Sequence, residues 1–305
     1  MSKIPPYLKK GDTIGLVAPA GFMAIEKIQA CIETLDAWGY TVKMGATTHS
    51  ESTNYFSGTD DERLADLQLM LDDRSVKAIL CVRGGYGSSR IIDRLDFKKF
   101  RKHPKWLIGF SDITVFHAHL LARYKIASLH APMAGAFNDG ESNNSFVRSL
   151  CDTLDGKPQH YQAAPHSFNR EGSAKGMLVG GNLSLLAHLC GTPSDLRTKN
   201  RILFLEDVGE YVYNVDRMFL QLKRSGKLEK LAGLIIGGFT DMKDTERPFG
   251  QNVYEVIHEH IKVYDYPVCF GFPVSHEKEN YALKVGVQYH LQVTRERVSL
   301  IDHYA

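Results

Sequence analysis

The sequence predicts an α/β protein: a parallel sheet covered on both faces by helices, followed by a second domain that ends in antiparallel strands. Three observations carry this. Short, nearly continuous apolar runs such as VKAILCV (Val76–Val82) alternate with stretches of helical periodicity, the pattern of buried parallel strands. A chain of 305 residues is comfortable for two domains, each with its own core. The tail from Val285 to Leu300 alternates more regularly and reads as antiparallel strands.

Taken in order, Thr13–Ala18 (TIGLVA) is a first buried strand, closed by the Pro19-Ala20-Gly21 turn. A helix from about Ile25 to Trp38 follows, with Ile28, Cys31, Ile32, Leu35 and Trp38 on one face, and Gly39 stops it. Tyr40–Met44 is a second strand. In YFSGTDDERLADLQLMLDD, Thr59 or Asp60 caps a helix whose apolar face includes Leu64, Leu67 and Leu71. The third strand, a helix over Ile91–Phe100, a strand over Trp106–Phe110 and a strand end at Ala127–His130 complete the first half. From about Glu141 to Arg170 periodicity lapses into polar, Gly- and Pro-containing sequence, which predicts a domain over 1–154, a linker over 155–172 and a second domain over 173–305. That second half reads as strand, Gly-Gly turn and a helix over Leu183–Cys190. Buried strands follow at Ile202–Leu205, Leu231–Phe239 and Val268–Phe272.

Composition narrows the function. Thirty-seven Lys and Arg against 35 Asp and Glu leave a net charge of +2 with no dense basic run, so neither nucleic acid nor an anionic membrane is an expected partner. Five cysteines without a C-x-x-C pair suggest buried, reduced thiols. No apolar segment precedes the first strand and no window approaches the roughly 18 apolar residues of a membrane span, so a soluble cytoplasmic protein is expected.

The chemistry gathers at strand ends. In KWLIGFSDITVFHAHLLAR, Ser111 stands where an apolar strand becomes a helix. A hydroxyl is lifted clear of the sheet there, and free amides point at any negative charge forming beside it. The G-x-S-x-G elbow signature is half met, since Ile113 replaces the second glycine. The plainer alternative is that Ser111 or Asp112 simply caps the helix. After the third strand, RGGYGSSR (Arg83–Arg90) puts three glycines within four positions, either a tight turn or an anion cradle. It meets neither the dinucleotide nor the Walker pattern. Ser111, Glu206 and His276 are the residue types of a nucleophile, an orienting acid and a general base, each also open to a structural or solvated role. His117 and His119 lie two apart on a helix, and His258-Glu259-His260 lacks H-E-x-x-H; both groups read as structural or exposed, and no metal is expected.

Six motifs together bring a resemblance into view: YFSGTDDERLADLQ from Tyr55, AILCVRGGYGSSR from Ala78, IGFSDIT from Ile108, LVGGNLSLL from Leu178, LFLEDVGEYVYNVDR from Leu203 and GFPVSH from Gly271. In this order, from about Gly11 to His276, the chain resembles the LD-carboxypeptidase family of serine peptidases. The resemblance implies an N-terminal α/β domain with a small parallel sheet and a mainly β (α+β) C-terminal domain, with the catalytic groups divided between them at an active site where the two meet. It implies Ser111 as nucleophile, Glu206 as triad acid and His276 as general base, with backbone amides of Gly85 and Asp112 as the oxyanion hole. The chain departs from the family after the histidine. It reads HEKENYALKVG, with Lys284 near where a proline is common, so the substrate contacts of this loop do not carry over.

The implied reaction is hydrolysis of the amide between an L-configured centre, meso-diaminopimelate, and the terminal D-alanine of a murein tetrapeptide, free or sugar-linked, during cell-wall recycling. The implied partner is thus a small peptide. No cofactor is expected, and a homodimer is carried as an expectation that the sequence itself leaves open. A carboxypeptidase must read a free carboxylate, a role suited to an arginine, and Arg83 and Arg90 are the candidates. Two alternatives stand beside this: a family member that hydrolyses a peptidyl-nucleotide antibiotic for self-immunity, and a non-catalytic binding protein using the Arg83–Arg90 loop.

Overall fold

A computed structural model describes residues 2–138, 140 and 144–302. The chain forms two compact units. The first runs to Lys157 and takes back Tyr281–Lys284; the second holds Pro158–Asn280 and the residues from Val285 onward.

The first unit is a six-stranded sheet built from β1 (Thr13–Val17), β2 (Thr41–Met44), β3 (Val76–Cys81), β4 (Trp106–Gly109), β5 (Ser128–His130) and one strand from much later in the chain. From one edge the order is β2-β1-β3-β4-β5, every one of these neighbours parallel. The chain reverses its direction of travel across the sheet between β1 and β3, and loops leaving the carboxyl ends of strands at such a point diverge to leave a crevice. β3 and β4 are buried almost throughout, which is why both read as unbroken apolar runs.

The helices of this unit are α1 (Gln29–Ala37), α2 (Asp60–Asp72), α3 (Ser88–Ile91), α4 (Lys98–Lys102), α5 (Thr114–His119) and α6 (Ser145–Leu154). Thr59 caps α2 through a full capping box with Glu62. The face of α2 differs from the expected one. Leu67 and Leu71 are buried, Leu64 is only half-buried, and Arg63 and Asp66 are inside. The single helix expected over Ile91–Phe100 is broken into α3, a 3₁₀ turn at Ile92–Arg94, and α4. The cause is tertiary: the Gln68 amide, reaching from α2, bonds both the N–H and the C=O of Asp96, and the Asp96 carboxylate takes the Lys98 amide. The span expected to lack periodicity holds α6, capped by Asn144, while the 155–172 segment contains a strand, β6 (His160–Ala163). α6 carries its own helical pattern, Val147, Leu150 and Leu154 buried at i, i+3 and i+7 behind the Asn144 cap, whereas β6 is a short edge strand defined by its pairing with β13 (Val298–Asp302).

The second unit is a seven-stranded mixed sheet: β6, β7 (Gly172–Asn182), β8 (Arg201–Val208), β9 (Gly233–Thr240), β10 (Val268–Phe270), β12 (Gln288–Val293) and β13 (Val298–Asp302), in the order β10-β9-β8-β7-β12-β13-β6. The strand between them in sequence, β11 (Leu283–Val285), is the one that joins the first sheet, edge on to β5. β7 to β10 are parallel, crossed by α7 (Leu183–His188), α8 (Val212–Arg224) and α9 (Val253–Ile261); β12, β13 and β6 pair antiparallel, as the alternating tail predicts. Among the described residues no helix is long and apolar enough to cross a membrane, and all five cysteines are free thiols.

Candidate active site

Ser111 leaves the carboxyl end of β4 through Phe110 and enters a 3₁₀ turn, Ser111–Ile113, that runs directly into α5. Its φ is +62°, a left-handed conformation that costs a non-glycine residue free energy and recurs at functional turns. Neither the 3₁₀ turn nor α5 has a side-chain cap, so the simple capping role does not describe Ser111 or Asp112. Asp112 is 1% exposed and turns elsewhere: its Oδ2 accepts the backbone N–H of Ser88 at 2.8 Å. Burial raises its pKa, while the bonds from Ser88 oppose that shift.

Ser88 opens α3 at the end of the glycine loop, so Asp112 fastens that loop to the turn bearing Ser111. The loop touches the serine through Gly84. A Cβ built on Gly84 would lie 3.0 Å from Ser111 Cβ, 3.2 Å from its Oγ and 3.3 Å from the Asp112 nitrogen, so any side chain here would press directly on the serine. Gly84 O in turn accepts the Gly21 amide at 2.9 Å, tying in the loop that follows β1. Gly85 has φ +94° and sits against the Tyr55 hydroxyl.

Arg83 is exposed and donates through Nη1 to the Phe22 carbonyl. Arg90 is paired with Asp60, Nη2 to Oδ2 at 2.8 Å, and lies over the Phe56 ring; its hydrogen bonds to Asp60 and Tyr86 and their charges raise its pKa further. The cation that composes the loop was missed in the sequence. Arg63, fully buried, donates through Nη1 to Pro19 O at 2.6 Å and Gly87 O at 3.2 Å, and pairs with Asp60 through Nη2. A charged residue at i, i+4, i+8 spacing with Leu67 and Leu71 was the available signal.

In the second unit, Glu206 is fully buried near the end of β8, and its Oε2 accepts from Nδ1 of His276 at 2.6 Å. A carboxylate only accepts, so Nδ1 carries the proton and Nε2 is the basic nitrogen. Burial pulls the His276 pKa down, but the hydrogen bond to Glu206 and the charges of Glu206 and Asp207 outweigh it, and the pKa is raised. Glu206 Oε1 is buried with no hydrogen-bond partner among the described residues.

Two further acids, Asp207 and Glu210, follow Glu206 in the same motif. Asp207 has a different role, accepting from Asn182 Nδ2 at 2.8 Å and from the Ser184 amide at 2.9 Å to hold the start of α7. Burial and the Glu206 charge raise its pKa to about 7 against the hydrogen bonds that lower it. Glu210 accepts from Asn214 Nδ2 at 3.0 Å. His276 is delivered by the Phe272–Ser275 turn, whose Val274 carbonyl accepts the Gly238 amide at 2.9 Å. That approach needs the Gly237-Gly238 pair of β9, because a Cβ on Gly237 would overlap the Val274 carbonyl and one on Gly238 would lie 2.5 Å from Ser275 Cβ. These two glycines gave no sequence signal beyond their type, whereas Gly84 lies in the glycine cluster that the sequence marks out.

The histidines that the sequence grouped in pairs have partners within the fold, His119 lying against Phe97 and Tyr124. His117 is buried between Ser128 Oγ at 2.9 Å and Gly109 O at 2.8 Å, and burial lowers its pKa to about 4. His260 pairs with Asp216, and His258 stacks on Phe168. Among the described residues no cluster of His, Cys, Asp and Glu is arranged to hold a metal. Lys284, at the family departure, is buried in the first unit with Nζ 3.3 Å from the Tyr7 hydroxyl.

Comparison with known proteins agrees over nearly the whole length. Residues 14–131 match the model of the LD-carboxypeptidase N-terminal domain and residues 175–291 that of the LD-carboxypeptidase C-terminal domain, spans that hold Ser111 and both Glu206 and His276 respectively. A Bacillus subtilis (strain 168) protein named "Probable murein peptide carboxypeptidase" is 34% identical over 98% of this chain and 94% of its own length. The murein tetrapeptide carboxypeptidase of Pseudomonas aeruginosa is 30% identical over 93% of this chain and 94% of its own. The crystal structure of muramoyltetrapeptide carboxypeptidase from Oxalobacter formigenes superposes with a TM-score of 0.85 at 30% identity, covering 95% of this chain and 98% of that one. With both domain models matched and relatives of this similarity along its full length, the chain belongs to the LD-carboxypeptidase family.

Proposed function

We propose that this protein is a serine LD-carboxypeptidase that removes the terminal D-alanine from murein tetrapeptide by cleaving its amide bond to the L-centre of meso-diaminopimelate, in the cytoplasm, during cell-wall recycling. The observation that carries the reading is the buried Glu206–His276 hydrogen bond of 2.6 Å. It sets the tautomer a general base needs and makes the imidazole more basic. Relatives named for murein peptides support the substrate.

In this mechanism His276 Nε2 takes the proton of Ser111 Oγ as that oxygen attacks the scissile carbonyl. The left-handed turn at Ser111 and the glycine loop packed on it support backbone amides of Gly85 and Asp112 as the donors to the tetrahedral oxyanion. The protonated imidazole, stabilised by Glu206, returns the proton to the departing amine of D-alanine, and water then hydrolyses the acyl-enzyme by the same route reversed. The reaction requires Ser111 Oγ and His276 Nε2 to meet at about 2.6–3.2 Å. Of the two arginine candidates for the substrate carboxylate, Arg83 is the better placed to act, because Arg90 already has Asp60.

The test is release of free D-alanine from disaccharide-free murein tetrapeptide in the presence of EDTA, wild type against Ser111→Ala. Release by the wild type alone is expected; release by both proteins, or by neither, overturns the reading.

A further inference from the structure

A cavity of about 540 Å³ lies at the end of the first sheet away from Ser111. Its walls come from the residues that lead into the parallel strands: Asp12 just before β1, Val76 at the start of β3 and Lys105 just before β4. Because these strands run in one direction, their amino ends are removed by the length of the sheet from the carboxyl ends that bear Gly84 and Ser111. The cavity is therefore a separate place, and its volume is that of a small-molecule site.

Its charge is one-sided. Lys3, Lys9, Arg74, Lys77 and Lys102 form an exposed rim, with His103 among them, and Asp12 is the only acidic lining residue among the described residues. Among the described residues none of these five rim cations has a carboxylate within ion-pair distance, whereas Lys43, Arg94, Lys98 and Lys99 in the same unit are each paired. In a chain whose net charge is only +2, five unneutralised cations around one concavity focus a positive potential into it. Their mutual repulsion is a standing cost that a bound anion removes. Lys105, buried beneath them, is committed to the fold, its Nζ donating to the carbonyls of Met70 and Asp73.

The cavity also has an apolar side, formed by Ile4, Pro6, Tyr7 and Pro104. It is fixed in place. Tyr7 stacks on Trp106 with ring centroids 6.0 Å apart, Trp106 Nε1 donates to Pro6 O at 3.1 Å, and the Leu8 amide donates to Leu154 O at 2.8 Å. The Lys3 backbone is held on both sides by Lys125 O and the Ala127 amide. A site that is formed before its ligand arrives loses little entropy on binding.

We propose that this cavity binds a nucleoside di- or triphosphate, its phosphates among the rim cations and its nucleoside against Tyr7, Pro6 and Pro104. Two or three linked phosphates match the number of the cations, and an aromatic or sugar ring matches the apolar side that Pro6, Pro104 and half-buried Tyr7 form. The site does not depend on the peptidase reading.

Isothermal titration of the full chain with ATP, pyrophosphate and adenosine, in EDTA at fixed ionic strength, tests it. ATP is expected to bind with a Kd of about 0.1 mM or tighter, pyrophosphate about tenfold more weakly, and adenosine more weakly still. The double variant Lys9→Glu/Lys102→Glu, both at exposed positions, should keep the wild-type melting temperature and lose at least about tenfold in ATP affinity. Ser111→Ala should bind ATP as the wild type does. No ATP binding up to about 5 mM, or equal ATP binding by the double variant, overturns the site. Pyrophosphate binding as tightly as ATP overturns the nucleoside assignment.

Discussion

Asp112 and Ser88 are 24 residues apart and joined by one buried hydrogen bond, Oδ2 to N–H at 2.8 Å. Through it the residue after the candidate nucleophile ties the end of the glycine loop to the turn bearing Ser111.

Replacing Asp112 by Ala should therefore leave the Ser88 amide buried and unbonded, at a cost of about 1–3 kcal/mol in urea unfolding. D-alanine release should fall at least about tenfold at the same time. Asp112→Asn retains an oxygen acceptor, and should recover most of the stability. If Ala and Asn behave alike in both measurements, the hydrogen bond does not hold the loop.

Gly84 is a steric prediction. A methyl group there would lie 3.0 Å from Ser111 Cβ and 3.2 Å from Oγ. Gly84→Ala should displace the hydroxyl and lower kcat/KM by about a hundredfold. Unchanged kinetics in a folded variant would remove Gly84 from the site.

The pH profile reports the Glu206–His276 pair. The His276 pKa lies above its ordinary 6.5, so the acidic limb of kcat/KM should lie above pH 6.5 in the wild type. Glu206→Gln removes the charge that raises it; the limb should move to lower pH and kcat should drop by about 10²–10⁴. A limb that stays in place would mean that another group sets it.

Stability should follow the same charges. A raised histidine pKa stabilises the fold fully below pH 6.5 and that contribution is lost as pH climbs through the folded value. Asp207, raised from 3.8 to about 7, contributes in the same sense, fully below pH 3.8 and lost as pH rises through about 7. Both shifts derive partly from Glu206, so urea midpoints should fall between pH 5 and pH 8 more steeply in the wild type than in Glu206→Gln. Parallel pH dependences in the two proteins would sink the coupling.

Arg63 and Arg90 share Asp60 but not its surroundings. Arg90→Ala, breaking a pair in which Arg90 is half exposed, should leave the urea midpoint nearly unchanged. Arg63→Ala strips the fully buried guanidinium from two loop carbonyls and should cost about 3–5 kcal/mol by thermal or urea unfolding. Equal costs would deny Arg63 its place under the loop.

What the sequence determined by itself was whatever short-range pattern encodes. Continuous apolar runs marked β1, β3, β4, β8 and β9, the Thr59 box marked the start of α2, and residue type together with the family motifs singled out Ser111, Glu206 and His276. Alternation and periodicity record which side of an element is buried, and nothing more. Only the tertiary structure decided what each polar group was paired with. It gave Arg90 to Asp60, Arg63 to the loop carbonyls, Asp112 to Ser88 and Asp207 to the start of α7. It broke the helix at Asp96 through Gln68, and it sent Tyr281–Lys284 back to the first unit. Each of these rests on a partner tens of residues or more away, and a buried polar group must find such a partner wherever the fold supplies one.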